Sequence, residues 1–200
     1  MSNFLQQKPL VLASGSSIRA TLLKSIGLEF LIIPSQCNEE AIKKEHQSEP
    51  IVDLGFTLAI SKALEVSSHY PGHFVIGADQ LCVFGDLLLD KPLNHETAIK
   101  HLSLLNANTH QQIACMCIAQ NNKIIWQHHE IAYLTMRKLN STQIDSYLKL
   151  EQPYQSCGAY QYETQGKWLF QQVVGDEDTI LGLPLLPLID GLIDLGVVSF

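Results

Sequence analysis

Ser14-Gly15-Ser16-Ser17-Ile18-Arg19 constrains this chain more than any other stretch. It follows an apolar run, Leu10-Val11-Leu12-Ala13, that reads as a buried strand. It leads into Ile18, Leu22, Leu23 and Ile26, which recur at helical spacing until Gly27 supplies a stop. A strand that breaks at small hydroxyl residues and turns into a helix leaves several backbone N–H groups without partners. Those groups, with the positive end of the helix dipole, favour an anion such as phosphate. The serine hydroxyls add donors. Arg19, one of only two arginines in the chain with Arg137, can grip phosphate with two bonds. A plainer reading of the same residues is that Ser16 or Ser17 caps the helix.

The rest of the pattern alternates α and β. Phe30 to Ile33 reads as a strand ended by Pro34, and Ser35 to Glu49 as a polar surface excursion. Pro50 suits the first turn of a helix running to about Ser68. Phe74 to Ala78 reads as a short buried strand, and Gly85-Asp86 as a two-residue hairpin turn between Leu81–Phe84 and Leu87–Leu89. Asn94 caps a helix carrying Ala98, Ile99, Leu102 and Leu105 on one face. Gln112–Ala119 and Lys123–Met136 form two strands about an Asn121-Asn122 turn. Ser141 caps a short helix, and Leu181 to Leu195 supplies the last one, beginning around Pro184.

Composition limits the function. A 46% hydrophobic and 16% charged chain of 200 residues builds a packed core, expected here as a single domain over 1–200. A net charge of −7 argues against binding a nucleic acid polymer. No apolar stretch has the length of a membrane span, and Met1 to Lys8 lacks the order of a secretory signal, so a cytoplasmic protein is expected. The five cysteines lack zinc or redox spacing, and adjacent His128 and His129 point to opposite faces of a strand. Asp176-Glu177-Asp178 reads as a solvated acidic loop.

Two placements go further. Ile51, Leu54 and Leu58 mark an apolar helical line, and Lys62 is its next member. A lysine there either snorkels to water or meets an anion. Asp79 and Gln80 follow the apolar Phe74–Ala78 run, at what reads as a strand end. Pairing about Gly85-Asp86 sets Gln80 opposite Lys91 and Asp79 opposite Pro92. A carboxylate beside a lysine is either a structural ion pair or a metal-binding, proton-accepting group next to a phosphate-binding cation.

Together these residues resemble the Maf proteins, a group named for septum formation and related to the inosine-triphosphate pyrophosphatase fold. Five passages carry the resemblance: Leu12-Ala13-Ser14-Gly15-Ser16 with Arg19, Leu22 and Leu23; Asn38-Glu39; Lys62-Ala63; Ile76-Gly77-Ala78-Asp79-Gln80 with Asp90-Lys91-Pro92; and Gly158-Ala159-Tyr160 with Glu163, then Gly182-Leu183-Pro184. They run in the family's order from Leu10 to Pro187. The resemblance implies an α/β fold with a mixed, strongly curved sheet flanked by helices, two lobes around a central cleft, and a homodimer. It implies a nucleoside triphosphate pyrophosphatase that releases pyrophosphate and leaves the monophosphate, using Mg²⁺ or another divalent ion such as Mn²⁺ or Co²⁺. By position, Ser14, Ser16, Arg19, Lys62 and Lys91 would bind phosphates. Glu39 and Asp79 would hold the metal, and Asp79 would accept the proton of the attacking water.

Ile18, Gln80 and Glu163 would select the base. The sequence departs from the family pattern at Ser17 (usually proline), Ile18 (often arginine), Thr21 (often glutamate) and Thr164 (commonly glycine). Ile18 matches neither the arginine of pyrimidine-preferring members nor the aromatic residue of those preferring 7-methyl-GTP. Gln80 and Glu163 are closer to the latter type. The competing expectation is a non-catalytic nucleotide-binding regulator linked to cell division. The chain lacks G-x-S-x-G and G-x-x-x-x-G-K-[S/T], which removes the nucleophile-elbow hydrolases and P-loop NTPases.

Overall fold

Leu10–Leu12 (β1), Phe30–Ile32 (β2) and the start of Phe74–Phe84 (β3) run parallel, in the register Leu10↔Phe30 and Leu10↔Phe74. The sheet continues through Leu87–Leu88 (β4), Thr109–Gln120 (β5), Lys123–Met136 (β6) and Phe170–Val174 (β7). Its order is β2-β1-β3-β5-β6-β7, with β4 on β3. β3–β4 and β6–β7 are antiparallel, so the sheet is mixed, as expected. Helices Ser17–Ser25 (α1), Glu39–Glu45 (α2), Ile51–Ser67 (α3), His95–Leu105 (α4), Ser141–Glu151 (α5), Glu177–Ile180 (α6) and Leu185–Asp194 (α7) complete the elements, with two short 3₁₀ turns before β7. The computed structural model describes residues 6–199. Residues 1–5 of the polar N-terminal stretch therefore lie outside the described residues.

Two compact units emerge from the fold. One holds the described residues up to Asp79, Ala114–Glu130, and those from Gly182 onward; the other holds Gln80–Ile113 and Ile131–Leu181. In the first, Val11, Ala13, Ala59, Ala63, Val66, Val75, Cys117 and Ala119 form a core of mostly small side chains. Small residues let α3 lie close on the sheet, and β-branched Val11 and Val75 suit the pleated face beneath it. Burial pushes the Cys117 thiol up to about 12, so it packs as a neutral hydrophobe. In the second unit, larger side chains fill the core, including Leu102, Leu105, Leu134, Met136, Leu148, Tyr160 and Phe170.

Several expectations need correction. Asp79 does not end a strand, because Phe74–Phe84 is one continuous strand. Polar Asp79 and Gln80 look like a terminus in sequence, but the backbone stays extended through them. What ends there is the partner: the β1–β3 ladder stops at Leu12↔Ile76, where β1 turns away. The excursion Ser35 to Glu49 contains α2. Asn38 caps it, Glu39 and Glu40 lie in its first turn, and Lys43 and Lys44 in its last, all favourable for the helix dipole. α5 is capped by Asn140 rather than Ser141, through a reciprocal capping box with Gln143. β7 was not anticipated at all.

The hairpin turn is as expected, but the β3–β4 ladder reaches only Val83↔Leu88, short of the Gln80–Lys91 and Asp79–Pro92 pairs that extending it would set. Val83 pairs with Leu88, Phe84 with Leu87, and the Leu89 N–H donates to the Cys82 carbonyl at 2.8 Å. Asn121 and Asn122 both adopt positive φ, 49° and 61°, as a tight turn between β5 and β6 requires. Lys62 lies buried on α3, on the line begun by Leu54 and Leu58.

Candidate active site

The turn after β1 is built from its own hydroxyls. Ser16 caps α1 by accepting the Arg19 N–H at 3.3 Å, so the plain capping reading holds. Ser14 Oγ accepts the Ser16 N–H at 3.2 Å and Arg19 Nη1 at 3.3 Å. A hydroxyl has two lone pairs and one hydrogen. With both lone pairs engaged, the remaining polar capacity of Ser14 is its O–H, a donor suited to an anion.

Arg19 is buried, which sequence reasoning did not anticipate. The last ladder bond between β1 and β3 runs from the Ala13 N–H to the Ile76 carbonyl at 2.8 Å. The next carbonyl on that edge, Ala78, takes Arg19 Nη1 at 3.0 Å instead. Arg19 Nε donates to the Gly182 carbonyl at 2.9 Å. The guanidinium therefore replaces the departed strand and ties together the serine turn, the backbone just before Asp79, and the Gly182-Leu183-Pro184 segment. Ala78 and Gly182 offer backbone carbonyls, so no side-chain motif announced those contacts.

Lys62 and Asp79 form the centre. Lys62 Nζ lies 2.6 Å from Asp79 Oδ1 and 3.0 Å from Glu39 Oε1. Lys62 and Asp79 are both buried, while Glu39 is partly exposed on the first turn of α2. Of the two fates open to Lys62, the structure selects the anion. A charge this buried needs a hydrogen-bonded counter-ion, and two carboxylates supply it. The structure thus brings Ser14, Ser16 and Arg19 together, and Glu39, Lys62 and Asp79 together, all within the first unit.

Glu39 and Asp79 fit a divalent cation on the chemistry of their donors. Two carboxylates aim oxygens at one positive group, and hard oxygen donors suit Mg²⁺. Among the described residues no group of three or more His, Cys, Asp or Glu side chains could hold a metal by itself. Mg²⁺ uses one or two carboxylates and completes its shell with water and substrate phosphate.

The second unit carries Gln80, Lys91 and Glu163. Gln80 Nε2 donates to the Thr179 carbonyl at 3.4 Å and to that of Ile180. Lys91 is exposed just beyond the hairpin. Glu163 is exposed at a turn closed by Gly166, where a β-carbon would stand 2.1 Å from the Gln161 carbonyl oxygen. Thr164 has φ −121° there, and its hydroxyl bonds the Gln161 carbonyl at 3.2 Å and the Glu151 carboxylate. Ile18, in the first unit, is half-buried on α1. A hollow of about 380 Å³ in the second unit is lined by Ile99, Ser103, Ser141, Thr142, Ile144 and Asp145, none of them a predicted site residue. The expected acidic loop is instead the start of α6: Asp176 holds the N-cap position without a side-chain capping bond, Glu177 and Asp178 lie in the first turn, and Glu177 pairs with Lys167 at 2.6 Å.

The family described as Maf-like protein matches residues 9–195. The chain belongs to the Maf family. A protein of Legionella pneumophila (strain Corby) named nucleoside triphosphate pyrophosphatase is 60% identical over 199 residues, covering the whole of both chains. A Mesorhizobium japonicum protein named 7-methyl-GTP pyrophosphatase is 38% identical, covering 95% of this Maf chain and 98% of its own. Among solved structures, the Staphylococcus aureus Ham1 protein superposes with a TM-score of 0.45 at 13% identity, over 94% of this chain and all of its own.

Proposed function

We propose that this Maf protein hydrolyses a modified or non-canonical nucleoside triphosphate to the monophosphate and pyrophosphate. The observation that carries the reading is the buried Lys62 held between Asp79 and Glu39, beside a serine turn built to present donors. The pyrophosphatase names of full-length relatives support it.

Each residue has a physical task. The Ser14 hydroxyl and the first turn of α1 meet phosphate oxygens, with the helix dipole adding to their pull. Lys62 offsets the charge that builds as the bond to the leaving pyrophosphate breaks. Asp79 accepts the proton of the attacking water, a task worth about 10²–10⁴ in rate. Glu39 and Asp79 would hold a divalent ion, Mg²⁺ in the first instance, which when bound supplies charge neutralisation at the phosphates. In the second unit the reading gives Lys91 to phosphate charge and Gln80 and Glu163 to the base; Ile18, in the first, joins them in base choice. It also takes the chain as one cytoplasmic functional domain that acts as a homodimer.

The test is pyrophosphate release with Mg²⁺ from a panel of canonical, methylated and deaminated nucleoside triphosphates. Turnover of at least one substrate, reduced 10²-fold or more in Asp79→Asn with the fold retained, supports the proposal. Nucleotide binding with no turnover anywhere in the panel favours the regulator instead.

A further inference from the structure

We propose that Lys62 and a divalent cation compete for Glu39 and Asp79, so that the cation binds tightly only after an anionic ligand has drawn the ammonium away. The inference rests on the site reading above and adds a rule for how the site fills.

Three observations carry it. First, one ammonium contacts both carboxylates, at 2.6 Å from Asp79 and 3.0 Å from Glu39. One oxygen of each carboxylate, Asp79 Oδ1 and Glu39 Oε1, already serves Lys62. Second, Lys62 and Asp79 have side chains only 9% exposed, so water screens little between a second positive charge and the ammonium. A cation bridging the carboxylates would sit against Lys62 or displace it. Third, the displaced group is a lysine, a point charge on a flexible stem that can turn toward new oxygens. The serine turn that would receive them belongs to the same unit.

The consequence is thermodynamic coupling. A polyphosphate that takes over Lys62 frees Asp79 and Glu39 for the cation. By linkage, the cation must then tighten the polyphosphate by the same factor. Nucleotide-free protein would hold metal weakly, and the site would assemble only around substrate.

The experiment measures Mn²⁺ binding to the nucleotide-free, full-length protein by the paramagnetic resonance of free Mn²⁺, with no turnover involved. Lys62→Met removes the charge at similar length. Lys62→Gln, whose amide can still donate to a carboxylate, is carried alongside in case the first variant folds poorly. Both are expected to bind Mn²⁺ at least tenfold more tightly than the wild type. Lys62→Arg, which keeps the charge, should remain within threefold of it. Melting with and without Mg²⁺ gives a second readout, with a larger rise in Tm expected for the neutral variants. Equal or weaker Mn²⁺ binding in both neutral variants overturns the inference. Asp79→Asn and Glu39→Gln separate the two levels. If they abolish Mn²⁺ binding while the neutral Lys62 variants do not change it, competition alone is wrong. If they leave Mn²⁺ binding intact, the site assignment falls and competition with it.

Discussion

A β-carbon on Gly77 would stand 2.3 Å from the carbonyl oxygen of Ala59. Gly77 lies on β3 two residues before Asp79, and Ala59 lies on α3 one turn before Lys62. The absence of a side chain at one and a minimal one at the other set how closely helix and strand approach. That approach delivers the Lys62 ammonium to Asp79.

Gly77→Ala tests this. The new methyl meets the Ala59 oxygen and, at 2.7 Å, the Ala63 β-carbon, and neither is the end of a flexible side chain. Overpacking of this kind costs about 1–3 kcal/mol. Chemical denaturation should show that loss, and turnover should fall more than tenfold because the Lys62–Asp79 pair is displaced with the helix. Wild-type activity and stability would show that the contact relaxes without consequence.

Arg19→Lys separates bracing from phosphate binding. Lysine keeps the charge but lacks the planar fork that reaches the carbonyls of Ala78 and Gly182 together. Bracing predicts a fall in kcat of tenfold or more, a lower Tm, and inhibition by product pyrophosphate within threefold of wild type. If Arg19 instead holds phosphate directly, pyrophosphate inhibition should weaken in step with the loss of activity.

Local chemistry was the legible part of this chain. The Gly85-Asp86 and Asn121-Asn122 turns, the Asn94 cap and the apolar line of α3 rest on residues within a few positions of one another, and each is found as read. Lys62 was visible as an anomaly on that line, but its partners belong to β3 and α2, which no periodicity connects to it. Asp79 stands out in the sequence for a partly wrong reason. The strand continues, and it is β1 that leaves. α2 was missed because it buries no residue and so has no apolar stripe, although Asn38 and the ordered charges that follow were there to be read. The bracing contacts of Arg19 were not legible, because they run to the main-chain carbonyls of Ala78 and Gly182, the latter 163 residues away.

His110 makes stability depend on pH. It is buried in the second unit, bonded to the Tyr160 hydroxyl at 2.7 Å, and burial pushes its pKa down from 6.5 to about 4. Between those values the unfolded chain binds a proton that the folded chain refuses, so stability falls as the pH drops from 6.5 toward 4. The shift corresponds to about 3 kcal/mol across that window. Denaturant titrations at pH 7 and pH 4.5 should therefore show a smaller acid loss in His110→Gln than in the wild type. An equal loss in both would place the acid sensitivity on other groups.

Glu163 sits exposed at a tight turn, and the proposal gives it the base. A carboxylate only accepts hydrogen bonds, whereas the N1–H and amino group of guanine donate them. Glutamine at this position keeps one acceptor and places a donor where the second acceptor stood. One guanine donor then faces another donor, a mismatch that costs far more than the loss of an apolar contact. For Glu163→Gln, kcat/KM for 7-methyl-GTP should fall about tenfold to hundredfold, while pyrimidine triphosphates, which lack that donor pair, change less than threefold. Parallel rates on wild type and variant across the nucleotide panel measure this directly. If both enzymes rank the substrates alike, Glu163 does not read the base, and the choice must come from Ile18 or Gln80.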